Sequence, residues 1–319
     1  MRATLGLPVL LLLVALLIVA SFMLGAVPIP LAEILKIGQA DFAHSFTLYQ
    51  YRLPRAVLAV LVGGMMALAG ALVQGVIRNP LASPDVLGIS NGAGLLAVCF
   101  ITLFPQSSAG AIPLVALLGS AMAALLLWLL VGRYPSETRL ALTGVALAAF
   151  FAACIDFVML LNPQEINTAL LWLTGSLWGR NWVQVQLLLP WLLLVPVALL
   201  LVKPLNLLAL DEQNARSMGV NVPLVRFAAL ALAVCLSGAG VAVCGPVGFL
   251  GLIAPHVTRR LLGSRHQLLL PGSFLVGAIL LLFADLVGRV IDPPIEIPAG
   301  IVTAILGAPY FLWLLFRIK

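Results

Sequence analysis

Serine, histidine, cysteine, lysine and paired carboxylates carry most protein chemistry, and their spacing in this chain narrows what it does. One nucleophile pattern is present: Gly88-Ile89-Ser90-Asn91-Gly92 fits G-x-S-x-G, with His256 far downstream. A hydrolase needs that serine on a strained strand-to-helix elbow with a base against it. Here the motif opens a long apolar stretch, where Gly88-xxx-Gly92 more simply lets two helices approach. An intramembrane serine protease is therefore a rival reading with its context against it. Phosphate chemistry is excluded more firmly. None of the lysines, Lys36, Lys203 and Lys319, follows a glycine, so a Gly-Lys-Ser/Thr phosphate loop cannot occur. If ATP drives this protein, another polypeptide hydrolyses it. No HExxH is present, and His44, His256 and His266 do not fall at metal spacing with carboxylates. Cys99, Cys154, Cys235 and Cys244 lie singly in apolar runs and read as small buried thiols. No catalytic residue, resident metal or cofactor is expected.

Three polar features remain. Arg52 and Arg55, in Tyr51-Arg52-Leu53-Pro54-Arg55, precede an apolar run. They either snorkel to headgroups or use their guanidinium forks to pair with carboxylates. The longest polar stretch between apolar runs is Lys203 to Arg226, with the core Asp211-Glu212-Gln213-Asn214-Ala215-Arg216-Ser217-Met218-Gly219-Val220. Helix formers closed by a glycine, with Pro223 beyond, suit a short helix and turn. A solvated loop is the plainer reading; a helix fitting a groove on a soluble motor protein is the functional one. The third feature is the i,i+4 pair Asp285 and Arg289, followed by Asp292-Pro293-Pro294-Ile295-Glu296. Ionisable residues at such depth are structural ion pairs or mark transport pathways.

The elements that must position these residues follow from composition. The chain has 319 residues, 63% hydrophobic and 9% charged, against roughly 25% charged in a soluble domain. A water-soluble, disordered or disulfide-stapled protein is excluded. The net charge of +6 is scattered between apolar blocks, so no nucleic-acid partner is expected. Apolar runs long enough to cross a bilayer predict an all-α, single transmembrane domain over 1–319. Its ten helices fall near 6–27, 56–77, 86–104, 113–132, 140–161, 184–202, 224–244, 247–262, 268–290 and 299–317. Residues 166–179 are too short and polar to span, and read as a loop or interfacial helix. The apolar run from Leu5 to Val27 exceeds a signal-peptide core, so the first helix is expected to stay uncleaved. With ten spans, twelve of the 17 Lys and Arg share one side, leaving Lys36, Arg52, Arg55, Arg180 and Arg289 on the other. The positive-inside rule then puts both termini in the cytoplasm.

The chain resembles the ten-helix permease subunits of ATP-binding-cassette importers for iron–siderophore complexes and vitamin B12, the FecCD family. The resemblance is carried by Arg52-Leu53-Pro54-Arg55, by Arg78-Asn79-Pro80-Leu81-Ala82-Ser83-Pro84-Asp85-Val86-Leu87-Gly88, and by Asn91-Gly92-Ala93-Gly94. It continues through Leu142-Thr143-Gly144-Val145-Ala146-Leu147, Gly245-Pro246-Val247-Gly248-Phe249-Leu250-Gly251-Leu252, Pro255-His256, and Ile297-Pro298-Ala299-Gly300 with Gly307-Ala308-Pro309. Within the family, Pro163-Gln164-Glu165-Ile166-Asn167 and Leu171 to Arg180 are most similar to the second permease of ferric dicitrate importers.

This resemblance implies roles for the polar features. Arg52, Arg55 and Arg289 match positions that meet glutamates of a periplasmic substrate-binding protein. Within a cytoplasmic segment of about 204–223, Asp211, Gln213, Ala215, Arg216, Ser217, Met218, Gly219 and Val220 match the helices that couple to the ATPase. Ser136, Glu137 and Thr138 match the cytoplasmic gate, although Glu137 interrupts its usual serine–threonine character. The implied partners are a second, different permease chain, two ATPase subunits and the binding protein, in a bacterial inner membrane. The implied cargo is ferric citrate or a ferric siderophore, with cobalamin or haem as alternatives. A proton-coupled transporter is the rival from another class; it would want a buried carboxylate relay and internal repeats, neither evident here.

Overall fold

The computed structural model describes residues 2–35, 44–132 and 137–317. Among them the fold is helical throughout, and the pairing of Asp292 with Ile295 is an isolated bridge, not a strand. In chain order the helices are α1 (Arg2–Met23), α2 (Leu31–Ile34), α3 (Leu53–Ile77), α4 (Ile89–Leu103), α5 (Ile112–Val131) and α6 (Glu137–Leu161). There follow α7 (Ile166–Leu173), α8 (Trp182–Leu192), α9 (Leu194–Leu199), α10 (Val202–Leu208), α11 (Glu212–Ser217) and α12 (Val222–Cys244). The chain closes with α13 (Leu250–Leu262), α14 (His266–Val290) and α15 (Ala299–Arg317). Among the described residues, seven helical stretches are long and apolar enough to cross a membrane, the longest being a π-helical turn, Thr47–Arg52, running into α3.

Helix α3 is the centre of the bundle: 83% of its apolar window is buried, against 22% for α1 or α6. It packs on α12, α13 and α14 at once, which its small residues make possible. A methyl group added at Gly63 would lie 2.4 Å from the Gly277 carbonyl oxygen of α14, and one at Gly70 would lie 1.9 Å from that of Gly251 in α13. The backbones therefore touch without side chains between them, the close approach that small residues permit in apolar surroundings. The same logic serves Gly92 of α4, where a methyl would meet the Gly119 carbonyl of α5 at 2.8 Å. Polar ties sit at one end of this core. Gln74 donates to the Gly251 and Leu252 carbonyls at 3.4 and 3.3 Å and accepts from Arg259 at 2.6 Å.

Helix occupies all ten stretches expected to span, but several are shorter or broken. The predicted single helix over 184–202 is three pieces, α8 to α10, containing Pro190, Pro196 and Pro204. Proline lacks the donor for the i−4 carbonyl, so tight bonds to i−3 take over, as in Leu193 N to Pro190 O and Leu200 N to Val197 O. The span expected from 86 begins at Ile89, because Gly88 at φ +79° first ends a 3-10 turn over Asp85–Leu87. The span expected from 247 begins at Leu250, behind Phe249 at φ +68°. Residues 166–179, expected as a loop or interfacial helix, contain α7.

Candidate functional site: two charged ends of one bundle

At the N-terminal end of α3 three arginines gather around the end of α1. A helix leaves its last carbonyls without intrahelical donors, and its C-terminus carries partial negative charge. Arg52 donates to the Phe22 and Val27 carbonyls, and Arg289 donates to the Ser21 hydroxyl at 2.7 Å. Both arginines are only 5% exposed. Beside them, Arg55 places Nε and Nη2 each 2.8 Å from Asp285 Oδ1 and Nη1 2.7 Å from Glu296. Arg289 Nε lies 3.2 Å from the other Asp285 oxygen, an ion pair not aligned as a hydrogen bond. Asp285 thus serves two guanidinium groups while 1% exposed, whereas Glu296 remains 27% exposed.

The opposite end carries the polar segment after α10. Asp211 caps α11 by accepting from the Gln213 amide at 3.0 Å. Gly219, at φ +84°, closes it: the Gly219 amide bonds Arg216 O and the Val220 amide bonds Ala215 O, both at 3.0 Å. This closure is a Schellman motif, and it is what glycine at the left-handed position provides. Ala215 and Val220 turn inward onto Leu208 and Val222, while Gln213, Arg216, Ser217 and Met218 stay exposed. Glu212 accepts from Arg216 at 2.6 Å and from Arg226 at 2.9 Å. Partial burial pushes the Glu212 pKa up, but the hydrogen bond from Arg216 and the charges of Arg226 and Arg216 outweigh it. The carboxyl is held below its ordinary value. Alongside α11, an apolar cleft of about 750 Å³ opens between α5 and α12, walled by Trp128, Leu125 and Phe227.

The remaining expected residues are not brought into these clusters. Ser136 lies outside the described residues; Glu137 starts α6, and Thr138 is exposed in its first turn. Ser90 donates to Asp85, not to a histidine. The His256 ring nitrogens are buried without a hydrogen-bond partner among the described residues, its ring edge-on to Tyr310 at 5.9 Å. No hydrolytic triad forms. The four cysteines are free thiols. Among the described residues, no three His, Cys, Asp or Glu side chains converge as metal ligands.

The family is decided by comparison with known proteins. The model of the FecCD transport family matches residues 11–317. The chain belongs to the FecCD transport family. This FecCD-family chain is 48% identical over 300 residues to the Fe(3+) dicitrate transport system permease protein FecD of Escherichia coli (strain K12), covering 94% of each chain. It is equally 48% identical, over 318 residues, to the Fe(3+)-citrate import system permease protein YfmE of Bacillus subtilis (strain 168), covering 98% of this chain and 95% of that one. A solved structure described as an inward-facing metal-chelate type ABC transporter superposes with a TM-score of 0.85 at 31% identity. That match covers 98% of this chain and 99% of the other. The FecCD-family chain is accordingly a multi-pass membrane transport permease, all-helical as expected.

Sequence reasoning picked out Asp285 with Arg289 from their i,i+4 spacing but missed Glu296 as the partner of Arg55, 241 positions away. It also missed Ser21, whose hydroxyl sits inside an apolar run with nothing to mark it.

Proposed function

We propose that this chain is one of two permease subunits of an ATP-driven importer that passes ferric citrate, or a chemically close iron chelate, into the cytoplasm. What carries this reading is the 48% identity across 94% of the chain to a permease whose name specifies ferric dicitrate. In this reading the ten helices cross the bacterial inner membrane with both termini inside. The Asp211–Val220 segment then faces the cytoplasm and the Arg52 end faces the periplasm. A loaded binding protein docks at the patch of Arg52, Arg55 and Arg289. Arg55 is the exchangeable contact, since its partner Glu296 is the half-exposed member of the cluster. Arg52 and Arg289 hold the end of α1 in place beside it. Charge-assisted pairing of this kind orients a partner and speeds encounter.

Force from two ATPase subunits enters through the exposed strip Gln213, Arg216, Ser217 and Met218, with the capped, closed helix as a rigid lever. Ala215 and Val220 anchor that lever to the bundle, and Ser136, Glu137 and Thr138 form the inner gate. Large apolar side chains exposed on α6 and α15, among them Phe157 at 61% and Ile305 at 65%, supply surface for the second permease. A chain different from this one is the preferred partner. The iron chelate crosses without chemical change, so the energy comes entirely from the ATPase pair.

The test is uptake of radioactive iron supplied as citrate, in cells lacking the chain and cells with it restored. Cobalamin and a hydroxamate siderophore run in parallel. Loss and rescue confined to iron citrate is the expected result. A defect confined to another cargo would remove the citrate assignment and keep the importer.

A further inference from the structure

We propose that Arg180 is a carboxylate-binding residue for the cargo at the mouth of the permease; the inference rests on the importer reading above. Arg180 lies in the loop between α7 and α8, and that loop is fixed on every side. Ser176 N donates to Cys244 O at 2.7 Å, and Gly300 N donates to Gly175 O at 2.9 Å. Arg180 N closes a turn onto Leu177 O at 3.2 Å. Asn181 then caps α8 through reciprocal bonds with Val183 and Gln184, and Trp182 Nε1 reaches Tyr49 O at 2.9 Å. A residue between such anchors is held in place before any ligand arrives, which lowers the ordering cost of binding.

The side chain itself is not used by the fold. Among the described residues the Arg180 guanidinium makes no hydrogen bond or ion pair, and its Nε is buried without a partner. A buried, unsatisfied donor on a charged group is destabilising, so it asks for a reason. Contrast the three other arginines at this end, each occupied by carbonyls, Ser21, Asp285 or Glu296. Arg180 lies at the same end of the bundle, because two backbone bonds tie its loop to the last residue of α12 and to the start of α15, just after Glu296. Beside Arg180 the space is open: a methyl group on Gly179 would meet nothing within 4 Å, and Trp178 is 69% exposed. A guanidinium fork without an internal partner, beside the exposed Trp178 and Gly179, matches the planar two-oxygen face of a carboxylate. Citrate-type chelates present such groups.

Two sources of carboxylate exist, the cargo and an acidic side chain of the docking protein, and the experiment separates them. The complete importer is reconstituted in vesicles with its binding protein and ferric citrate, carrying Arg180→Gln, Arg180→Met or Arg180→Lys. Three quantities are read: transport rate, ATPase stimulation by loaded binding protein, and association of that protein at low and high salt. The expected result is a roughly tenfold loss of transport in Arg180→Gln and Arg180→Met, the scale of one charge-assisted contact. Arg180→Lys recovers part of it, and association and ATPase stimulation stay unchanged. The thermal stability of Arg180→Met should equal or exceed the parent, because no internal partner is lost; a structural arginine would show the opposite. Wild-type rates in Arg180→Gln overturn the inference, as does a salt-sensitive loss of association, which would assign Arg180 to docking. If the unmodified importer fails to carry ferric citrate, the cargo reading itself falls, independently of Arg180.

Discussion

Replacing Asp285 by asparagine keeps the shape of the side chain and removes the charge that two buried guanidinium groups share. Arg55 reaches Asp285 through two nitrogens at 2.8 Å, and Arg289 approaches at 3.2 Å, with Asp285 itself 1% exposed. Taking away one partner of a buried pair costs about 3–5 kcal/mol, because the surviving charge is left uncompensated. Arg55 still has Glu296 after the change, which puts the expected loss near the low end, about 3 kcal/mol. Glu296→Gln is the internal control. Glu296 is 27% exposed, so water screens its loss and the cost should be about 1 kcal/mol or less. Both are measured as unfolding free energies of the purified chain in mild micelles titrated with dodecyl sulfate, read by tryptophan fluorescence. Combining Asp285→Asn with Arg289→Met should restore part of the loss, with a coupling of about 1–3 kcal/mol. Equal costs for Asp285→Asn and Glu296→Gln, both under about 1 kcal/mol, would refute burial as the source of the strength of this cluster.

Gly63→Ala places a methyl 2.4 Å from the Gly277 carbonyl, and the forced separation of α3 from α14 should cost about 1–3 kcal/mol in the same titration. Gly219→Arg should leave the chain in the membrane, since nothing lies within 4 Å of the added side chain's root. Its φ of +84° opposes any L side chain, so α11 loosens and, under the proposed coupling role, ATP hydrolysis proceeds without import; normal import would sink that role. Reversing Arg55 to glutamate should weaken binding-protein association, with the difference shrinking as salt rises; unchanged association would leave Arg55 a purely internal partner. Glu212 gives a pH signature. Its carboxyl is lowered in the folded chain, so its contribution is complete above its ordinary pKa of about 4.3 and lost as pH falls through the lowered value. Protection of the Asp211–Val220 amides, taken relative to the pH-dependent intrinsic exchange rate, should therefore hold steady from neutral pH to about 5 and fall only in stronger acid; protection already lost at neutral pH would contradict it.

Much of the bundle was legible because the bilayer imposes a simple rule: long apolar runs become helices with internally satisfied backbones. The Gly88-xxx-Gly92 spacing announced close helix packing, and the helix formers after Asp211 closed by Gly219 announced α11. Local patterns of this kind need only a few neighbouring residues. The breaks at Leu193 and Leu200 were harder, since Pro190, Pro196 and Pro204 sit in runs whose hydropathy is undisturbed by them. Burial of Arg52 was not legible: it reads as a cation snorkelling at a helix end, and only the tertiary return of α1 brings the Phe22 and Val27 carbonyls to it. The pairing of Arg55 with Glu296 bridges 241 positions and leaves no trace in local spacing.

The bare-backbone contacts of α3 have a mechanical consequence. Where Gly63 meets Gly277 and Gly70 meets Gly251, there is no side-chain layer to slide or rotate, so any relative displacement opens a gap between main chains. Helices α3, α13 and α14 are thus welded into one stator, with Gln74 and Arg259 as a cross-tie at one end. Movement is then left to the side where an apolar cleft opens between the ends of α5 and α12. That side also carries the capped lever of α11. In such a division of labour the arginine end belongs to the stator, and a docked partner would rest on a fixed deck while the far side of the bundle swings beneath it.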